Sequence, residues 1–225
     1  MSRAAQREVI VADAVEWLQA QPSVLAGCSF VTALPDVSET GTAFSTWTAW
    51  FSDVARRIVE HTPADGLAIF TQSDIRKDGV WVDKSFLVHE GARAAGGVLL
   101  ARKVICRRPP GTTSSARAAF THLLVYGRGR ILDPALPDVV PDVLADPGPT
   151  TWKRGLGQKA CEACLQMIQR HARATHTIVD PFCGEGMTLA VANAMGLSAV
   201  GVERHRKRAE TARKLQLTLS PEHSG

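Results

Sequence analysis

Long apolar runs and abundant cysteines are both missing from this sequence. No stretch reaches the roughly 18 consecutive apolar residues that a membrane-spanning helix needs, and residues 2–8 are not followed by the apolar core of a secretory signal. The five cysteines are odd in number and irregularly spaced, which does not suit a disulfide framework. We therefore expect a cytoplasmic protein without membrane contact.

Metal-ligand spacing is also scarce. Cys161 and Cys164 have the spacing of half a zinc site, but no second pair follows them, and both lie in a predicted helix. The histidines are scattered and form no ligand pattern. We expect no metal site.

Acidic residues are absent from residues 91–132, although the net charge of the whole chain is only +4. The basic residues of this segment are Arg93, Arg102, Lys103, Arg107, Arg108, Arg117, Arg128 and Arg130. A segment of one charge sign suggests an anionic partner. The alternative is a surface whose charge is balanced by acids elsewhere in the fold.

The 225 residues, of which 45% are hydrophobic, suit one globular domain spanning residues 1–225. Apolar runs alternate with longer amphipathic stretches, which predicts an α/β fold with a mostly parallel sheet and helices on both faces. The predicted strands are 9–12, 28–33, 66–71, 98–106, 120–126, 177–180 and 198–202. The main predicted helices are 42–61, 83–95, 155–174, 187–195 and 204–219, and residues 132–149 form an irregular connector.

The strongest motif is residues 180–186, Asp-Pro-Phe-Cys-Gly-Glu-Gly, between a predicted strand and a predicted helix. Gly184 and Gly186 allow the backbone to approach a ligand closely, and the helix that follows begins with unpaired N–H groups. Glu203 follows Gly186 by 17 residues, at the end of the next strand. An acid there can accept hydrogen bonds from ribose hydroxyls.

The same motif lacks the third glycine of a dinucleotide-binding loop, because Leu189 stands at that position. Asp180 and Glu185 would repel a pyrophosphate, whereas they suit a cationic group such as the amine of a methionine moiety. The motif therefore favours S-adenosylmethionine over a nicotinamide dinucleotide. The alternative is an ordinary strand–turn–helix whose glycines serve packing.

Residues 180–189 together with Val200-Gly201-Val202-Glu203 resemble the cofactor motifs of class I S-adenosylmethionine-dependent methyltransferases. Their position near the C-terminus resembles the circularly permuted amino-methyltransferases of nucleic acids, in which the catalytic half comes first. The resemblance extends over nearly the whole chain. It implies a Rossmann-like sheet in permuted order with the last strand antiparallel, and S-adenosyl-L-methionine as the cofactor.

The resemblance also implies roles for individual residues. Asp13 is expected beside the adenine, and Glu203 at the ribose. Lys153 precedes the cofactor strand, helps to close the methionine side and is expected to contact substrate. The residues expected around the methionine part are Asp180, Phe182, Cys183, Gly184 and Gly186.

The sequence departs from the family at the catalytic motif. Where the family has Asp/Asn/Ser-Pro-Pro-aromatic, this chain has Leu34-Pro35-Asp36-Val37. The leucine side chain cannot hydrogen-bond to an amine, and the valine side chain offers no flat face for stacking on a base. We expect Asp36, held by Pro35, to accept the proton of an acceptor other than a simple exocyclic amine, with Glu39 as a second candidate. The alternative is that Asp36 caps the following turn.

Residues 71–84 and 105–118 follow predicted strands, at the sheet edge where ligands bind in such folds. They carry basic side chains and a tryptophan, which suit phosphates and a stacked base. The expected substrate contacts are Arg76, Lys77, Trp81, Arg107 and Arg108. Because the chain offers no separate target-recognition domain, we expect RNA (tRNA or rRNA) as the partner. The alternatives are a DNA or small-molecule methyltransferase, and an inactive binding module that retains the cofactor pocket.

Overall fold

An eight-stranded sheet forms the centre of the protein in the computed structural model, which describes residues 5–115, 117–133, 135–152 and 155–218. Its strands are β1 Arg7–Ile10, β2 Cys28–Thr32, β3 Ala68–Gln72, β6 Gly97–Cys106, β7 Phe120–Arg128, β8 Val143–Leu144, β9 Thr177–Asp180 and β10 Ser198–Val202. Two further strands, β4 Ile75–Lys77 and β5 Val80–Val82, form a separate hairpin. The order across the sheet is β1-β10-β9-β2-β3-β7-β6-β8.

The helices are α1 Ala14–Gln19, α2 Val37–Thr40, α3 Phe44–His61, α4 Lys84–Ala94, α5 Gln158–His171, α6 Met187–Ala194 and α7 Arg206–Lys214. Side chains alternate between the two faces of the sheet, as the pleat requires. Phe70 packs into the core under α3 and α4, whereas Ile69 belongs to the core under α5 and α6. Among the described residues, no helix combines the length and the apolar composition needed to span a bilayer.

The predicted fold class is confirmed: the sheet is mostly parallel and is covered by helices on both faces. The antiparallel strand is β7, between β3 and β6, whereas β10, the last described strand along the chain, runs parallel to its neighbours. The predicted helix over 204–219 is shorter in the structure and ends at Lys214. The hairpin β4–β5 was not predicted, because three-residue strands carry too little periodicity to be recognised.

The two ends of the described chain meet at one side of the sheet. Strand β1 pairs in parallel with β10. Arg7 donates hydrogen bonds to the carbonyls of Ala212 and Leu215, and Arg213 donates to the carbonyl of Val9. These contacts place Asp13, which follows β1, next to the region that follows β9 and β10.

Candidate active site

A cleft of about 690 Å³ opens where β2, β3, β9 and β10 end at the same edge of the sheet. Because parallel strands point the same way, the segments that follow them converge there. The predicted site residues that line this cleft are Asp13, Pro35, Asp36, Glu39, Arg107, Asp180, Phe182, Cys183, Gly184, Gly186 and Glu203. The structure thus places the expected cofactor residues and the expected catalytic residues in one cavity.

The turn between β9 and α6 depends on its two glycines. Gly184 has φ 54° and Gly186 has φ 85°, both in the left-handed region that glycine adopts without strain. A Cβ atom at Gly186 would also lie 2.7 Å from the Cβ of Ala212. Gly186 immediately precedes α6, so the first N–H groups of that helix face the same edge of the sheet.

Asp180 is buried at the end of β9, with one oxygen accepting hydrogen bonds from the Thr32 hydroxyl at 2.7 Å and from the Phe182 N–H at 3.1 Å. Burial raises the pKa of Asp180 to about 6, because the hydrogen bonds only partly offset the lost hydration and nearby Glu203 acts in the same direction as burial. A buried, hydrogen-bonded carboxylate on the cleft wall suits a cationic ligand group.

Two further acids on the cleft wall are held by backbone N–H groups. Glu203 is 8% exposed and accepts the N–H of His205 at 2.7 Å. Asp13 caps α1 by accepting the N–H of Val15 at 2.8 Å. Both carboxylates are therefore fixed in place, and both offer acceptor oxygens to hydroxyl or amine donors of a ligand.

Cys183 packs under the loop. The Cys183 sulfur would lie 2.7 Å from a Cβ atom at Gly201, and the Cys183 N–H donates to the carbonyl of Val202. Burial raises the pKa of the Cys183 thiol, so the thiolate that a nucleophile requires is disfavoured. The residue fills space beside the glycine turn between β9 and α6, and its expected contact with the cofactor stays a prediction.

Asp36 lies in the same cleft but does not present a free carboxylate. One of its oxygens accepts from the Lys84 ammonium at 2.5 Å, and the other accepts from the Arg117 guanidinium. Burial alone would raise the pKa of Asp36, but the two cations outweigh burial and hold this pKa below its usual value. Both oxygens are therefore engaged in this structure, and the expected role of Asp36 as a proton acceptor stays a prediction.

The neighbouring residues of this segment serve the fold as well. The carbonyl of Pro35 accepts the indole N–H of Trp47 at 3.1 Å, and Leu34 is buried in the core. The Glu39 carboxylate accepts the N–H of Asp36 at 2.9 Å, which caps the short helix α2. This bond gives Glu39 a structural role, and its expected catalytic role stays a prediction.

Three of the expected substrate contacts lie outside the cleft, on or beside the hairpin. Trp81 is 45% exposed, and the Arg76 guanidinium lies 5.1 Å from the centre of its ring. Lys77 belongs to the same exposed hairpin. Lys153 lies outside the described residues. The substrate roles of these residues stay predictions.

Much of the charge in the acid-free segment 91–132 is balanced internally. Lys103 is buried and pairs with Asp138 and Asp142 of the connector. Further basic residues bond to a side chain or a main-chain carbonyl: Arg102 to His122, Arg117 to Asp36, Arg128 to Glu60 and Arg130 to Asp65 and His171. Arg107 lines the cleft and donates to the Ser73 hydroxyl, and Arg108 follows it in the chain; both residues are exposed.

Lys84 was missed as a partner of Asp36, although the sequence contained a signal. Lys84 is the first residue of α4, directly after its cap Asp83. A cation is unfavourable at the positive end of a helix, so a lysine there calls for an acidic partner. Thr32 was also missed, since a threonine at the end of an apolar strand carries no signal beyond β-propensity.

Asp74, Asp83 and His122 form one group whose ligand atoms lie within 4.8 Å of one another, close enough to hold a metal ion. In the structure, however, these atoms already serve the protein. His122 bonds Asp74 at 3.0 Å, and Asp83 caps α4 by accepting the N–H of Phe86. Asp74 also accepts the N–H of Lys84, so it ties the hairpin to the start of α4.

Comparison with known proteins relates both the sequence and the fold to DNA methylases. A family model described as DNA methylase matches residues 156–214, which hold the glycine turn and Glu203. Among solved structures, TTHA0409 of Thermus thermophilus, named as a DNA modification methylase, has a TM-score of 0.69 at 19% identity, with 93% of each chain covered. PvuII DNA methyltransferase, described as cytosine-N4-specific, has a TM-score of 0.73 at 15% identity and covers 96% of this chain and 89% of its own. M1.HpyAVI has a TM-score of 0.61 at 14% identity, covering 93% and 98%.

At these identities the similarity establishes the α/β methyltransferase fold. The expected cofactor agrees with these structures, since TTHA0409 and M1.HpyAVI were both also solved with S-adenosylmethionine. No curated protein sequence matches the chain significantly. The prediction of RNA as the partner is wrong on these findings, because the matching family model is described as a DNA methylase and the similar structures are named as DNA-modifying enzymes.

Proposed function

We propose that this protein is an S-adenosylmethionine-dependent methyltransferase that acts on DNA. The observation that carries the proposal is a cleft in which three carboxylates lie around the glycine turn. Asp13, Asp180 and Glu203 line one end, whereas Lys84 and Arg117 lie with Asp36 at the other. The family-model match over residues 156–214 supports the choice of DNA.

The acid-lined end fits the proposed cofactor. Gly184 and Gly186 adopt the left-handed conformation without a side chain, so a ligand can approach the backbone of this turn closely. Asp180 would attract the amine and sulfonium end, Glu203 would accept hydrogen bonds from the ribose hydroxyls, and Asp13 would lie on the adenine side. When bound, the cofactor supplies an electrophilic methyl group to a substrate nucleophile.

The contribution of the chain to that reaction is binding, orientation and exclusion of water. A cationic ligand lowers the pKa of Asp180, so that this carboxylate ionises when the cofactor binds. The ion pairs of Asp36 with Lys84 and Arg117 fix the loop after β2, which lines the same cleft as the glycine turn. The loop is thereby held at the place where an acceptor would approach.

The surface around the cleft mouth suits a DNA backbone. Arg107 and Arg108 are exposed there, and the hairpin adds Arg76, Lys77 and the half-exposed Trp81. Basic side chains would contact phosphates, and an exposed aromatic ring would stack on an unpaired base. These contacts would extend the substrate surface outward from the cleft.

A transfer assay with tritiated S-adenosylmethionine tests the proposal directly. We expect label in unmethylated plasmid DNA and slower labelling by Glu203→Ala at subsaturating cofactor, whereas Glu210→Ala, on the exposed side of α7, retains wild-type transfer. Label in total tRNA or in small-molecule extracts, without label in DNA, would refute the choice of substrate.

A second candidate function is a binding module that holds the cofactor and DNA without transferring the methyl group. Two observations favour it: the Pro35 carbonyl is engaged by Trp47, and both oxygens of Asp36 are paired. Cofactor binding and DNA binding without transfer to any substrate would select this candidate.

A further inference from the structure

Trp50 places an aromatic ring on the wall of the cleft. It belongs to α3, is partly buried and lines the cleft together with Asp36 and Phe182. Residues 34–39, which contain Asp36, follow β2, whereas Phe182 stands at the start of the glycine turn after β9. The ring therefore borders both of the segments to which the sequence assigns chemistry.

Two contacts hold the Trp50 ring in this place. Trp47, three residues earlier and so on the same side of α3, donates its indole N–H to the Pro35 carbonyl at 3.1 Å. The Trp50 ring meets the Phe182 ring edge-on, with the ring centres 6.1 Å apart and an angle of 78° between the planes, which is a favoured arrangement of two aromatic rings. The ring thus lies between the glycine turn and the acceptor side of the cleft, which is the side that carries Asp36.

The other candidates for a flat surface are less well placed. Val37 follows Asp36 but packs against the core under α3 and α4. Trp152 lines the cleft, but the guanidinium of Arg208 lies 4.7 Å from the centre of its ring. Trp81 lies on the hairpin, outside the cleft. Among the described residues that line the cleft, Trp50 is therefore the indole ring that lies next to the glycine turn without a cation over it.

We propose that Trp50 is a substrate-binding residue whose indole ring stacks on the base that enters the cleft and orients that base toward the cofactor. This inference rests on the proposed action on DNA and names the residue that holds the base. Because every base has a flat π surface, stacking on Trp50 adds affinity and orientation without choosing between bases. An amino group at the edge of a stacked base stays free to react.

Binding to DNA with one unpaired base tests this inference. Two fluorescently labelled duplexes carry a central adenine or cytosine opposite an abasic site, because an unpaired base enters a pocket at low cost. A third duplex of the same sequence has abasic sites on both strands at that position. Affinities are measured by fluorescence anisotropy with saturating S-adenosylhomocysteine. We expect the wild-type protein to bind the better of the two base-carrying duplexes at least about fivefold more tightly than the third, the scale of one base stacked on an aromatic ring.

Three variants separate stacking from folding. Trp50→Leu should bind all three duplexes with equal affinity, whereas Trp50→Phe, which keeps a flat ring, should retain part of the difference. Trp17→Leu is the matched control, because Trp17 is also partly buried against the same core but does not line the cleft, and it should retain the whole difference. Each variant should keep the wild-type affinity for S-adenosylmethionine, which verifies that the cleft is folded.

Equal binding of the three duplexes by the wild-type protein would overturn the inference. A difference that persists in Trp50→Leu would assign the stacking to another residue, such as Trp81, and would also overturn it. Weaker S-adenosylmethionine binding in both Trp50 variants, with Trp17→Leu unaffected, would place the ring against the cofactor instead of the base. Methyl transfer to DNA without any effect of the unpaired base would leave the proposed function standing and remove only this inference. An effect of the unpaired base that depends on Trp50, without methyl transfer, would do the reverse.

Discussion

The substitution Asp180→Asn tests the stability of the fold and the binding of the cofactor together, because both depend on the charge of one carboxyl group. The pKa of Asp180 rises from 3.8 in the unfolded chain to about 6 in the folded protein, with burial as the main cause. A pKa difference of about 2 corresponds to about 3 kcal/mol of preference for the protonated form in the folded state. The wild-type protein must overcome that energy to keep this carboxylate ionised at neutral pH.

The pH window follows from the direction of this shift. Below pH 3.8 the group is protonated in both states, and the folded protein carries no penalty. As the pH rises from about 4 to about 6, the unfolded chain loses its proton first, so the stability contributed by the protonated group is progressively lost. Above about pH 6 the full penalty of about 3 kcal/mol applies. Asparagine keeps an oxygen for Thr32 and Phe182 but cannot ionise.

We therefore expect Asp180→Asn to have nearly wild-type stability at about pH 4 and up to about 3 kcal/mol more than wild type at about pH 8, without cofactor. Urea unfolding at each pH measures the difference between the two proteins, which cancels the titration of all other groups. The variant should bind S-adenosylmethionine more weakly. Wild-type affinity should fall about tenfold from about pH 7 to about pH 5 as Asp180 is protonated. A stability difference that does not change with pH would refute the reasoning.

Three further changes test other parts of the site. Glu203→Ala should weaken S-adenosylmethionine binding by about 1–3 kcal/mol in titration calorimetry, the scale of a hydrogen bond to a charged group, and an unchanged affinity would remove Glu203 from the site. Asp36→Ala should destabilise the fold by about 3–5 kcal/mol in urea, because it leaves the buried Lys84 unpaired; Asp36→Ala with Lys84→Met should recover much of that loss, and no recovery would show that the pair is not the cause. Arg107→Ala with Arg108→Ala should flatten the slope of log affinity for DNA against log salt by about one to two, whereas an unchanged slope would mean that neither arginine contacts phosphate.

The fold was predictable because its signals are local. Strands β2, β7, β9 and β10 begin within a residue of the predicted positions, since each is a short apolar run between turn residues. The glycine turn was predictable for the same reason: a left-handed backbone at Gly184 and Gly186 restricts those positions to glycine.

The acceptor side of the cleft was much less predictable, because its contacts join residues far apart in the chain. Asp36 meets Lys84 and Arg117 at separations of 48 and 81 residues, and neither pairing follows from spacing or type. The acid-free segment, residues 91–132, suggested an anionic partner, but part of its charge is balanced by acids that are distant in sequence. Lys103 finds its acids in the connector near Asp138, and only the folded chain brings them together.

The position of β1 has a consequence for the order in which a ribosome makes the protein. In the described sheet the neighbour of β1 is β10, which is synthesised about 190 residues after β1. In the finished sheet β9 and β10 lie between β1 and β2, so until they emerge from the ribosome both β1 and β2 expose open edges toward the missing strands. Pairing over such separations is slow, and the nascent chain is exposed to misassociation throughout. The insertion of β9 and β10 between β1 and β2 also completes the proposed cofactor pocket. A newly made chain therefore becomes able to bind the cofactor in the same late step that covers the edges of β1 and β2.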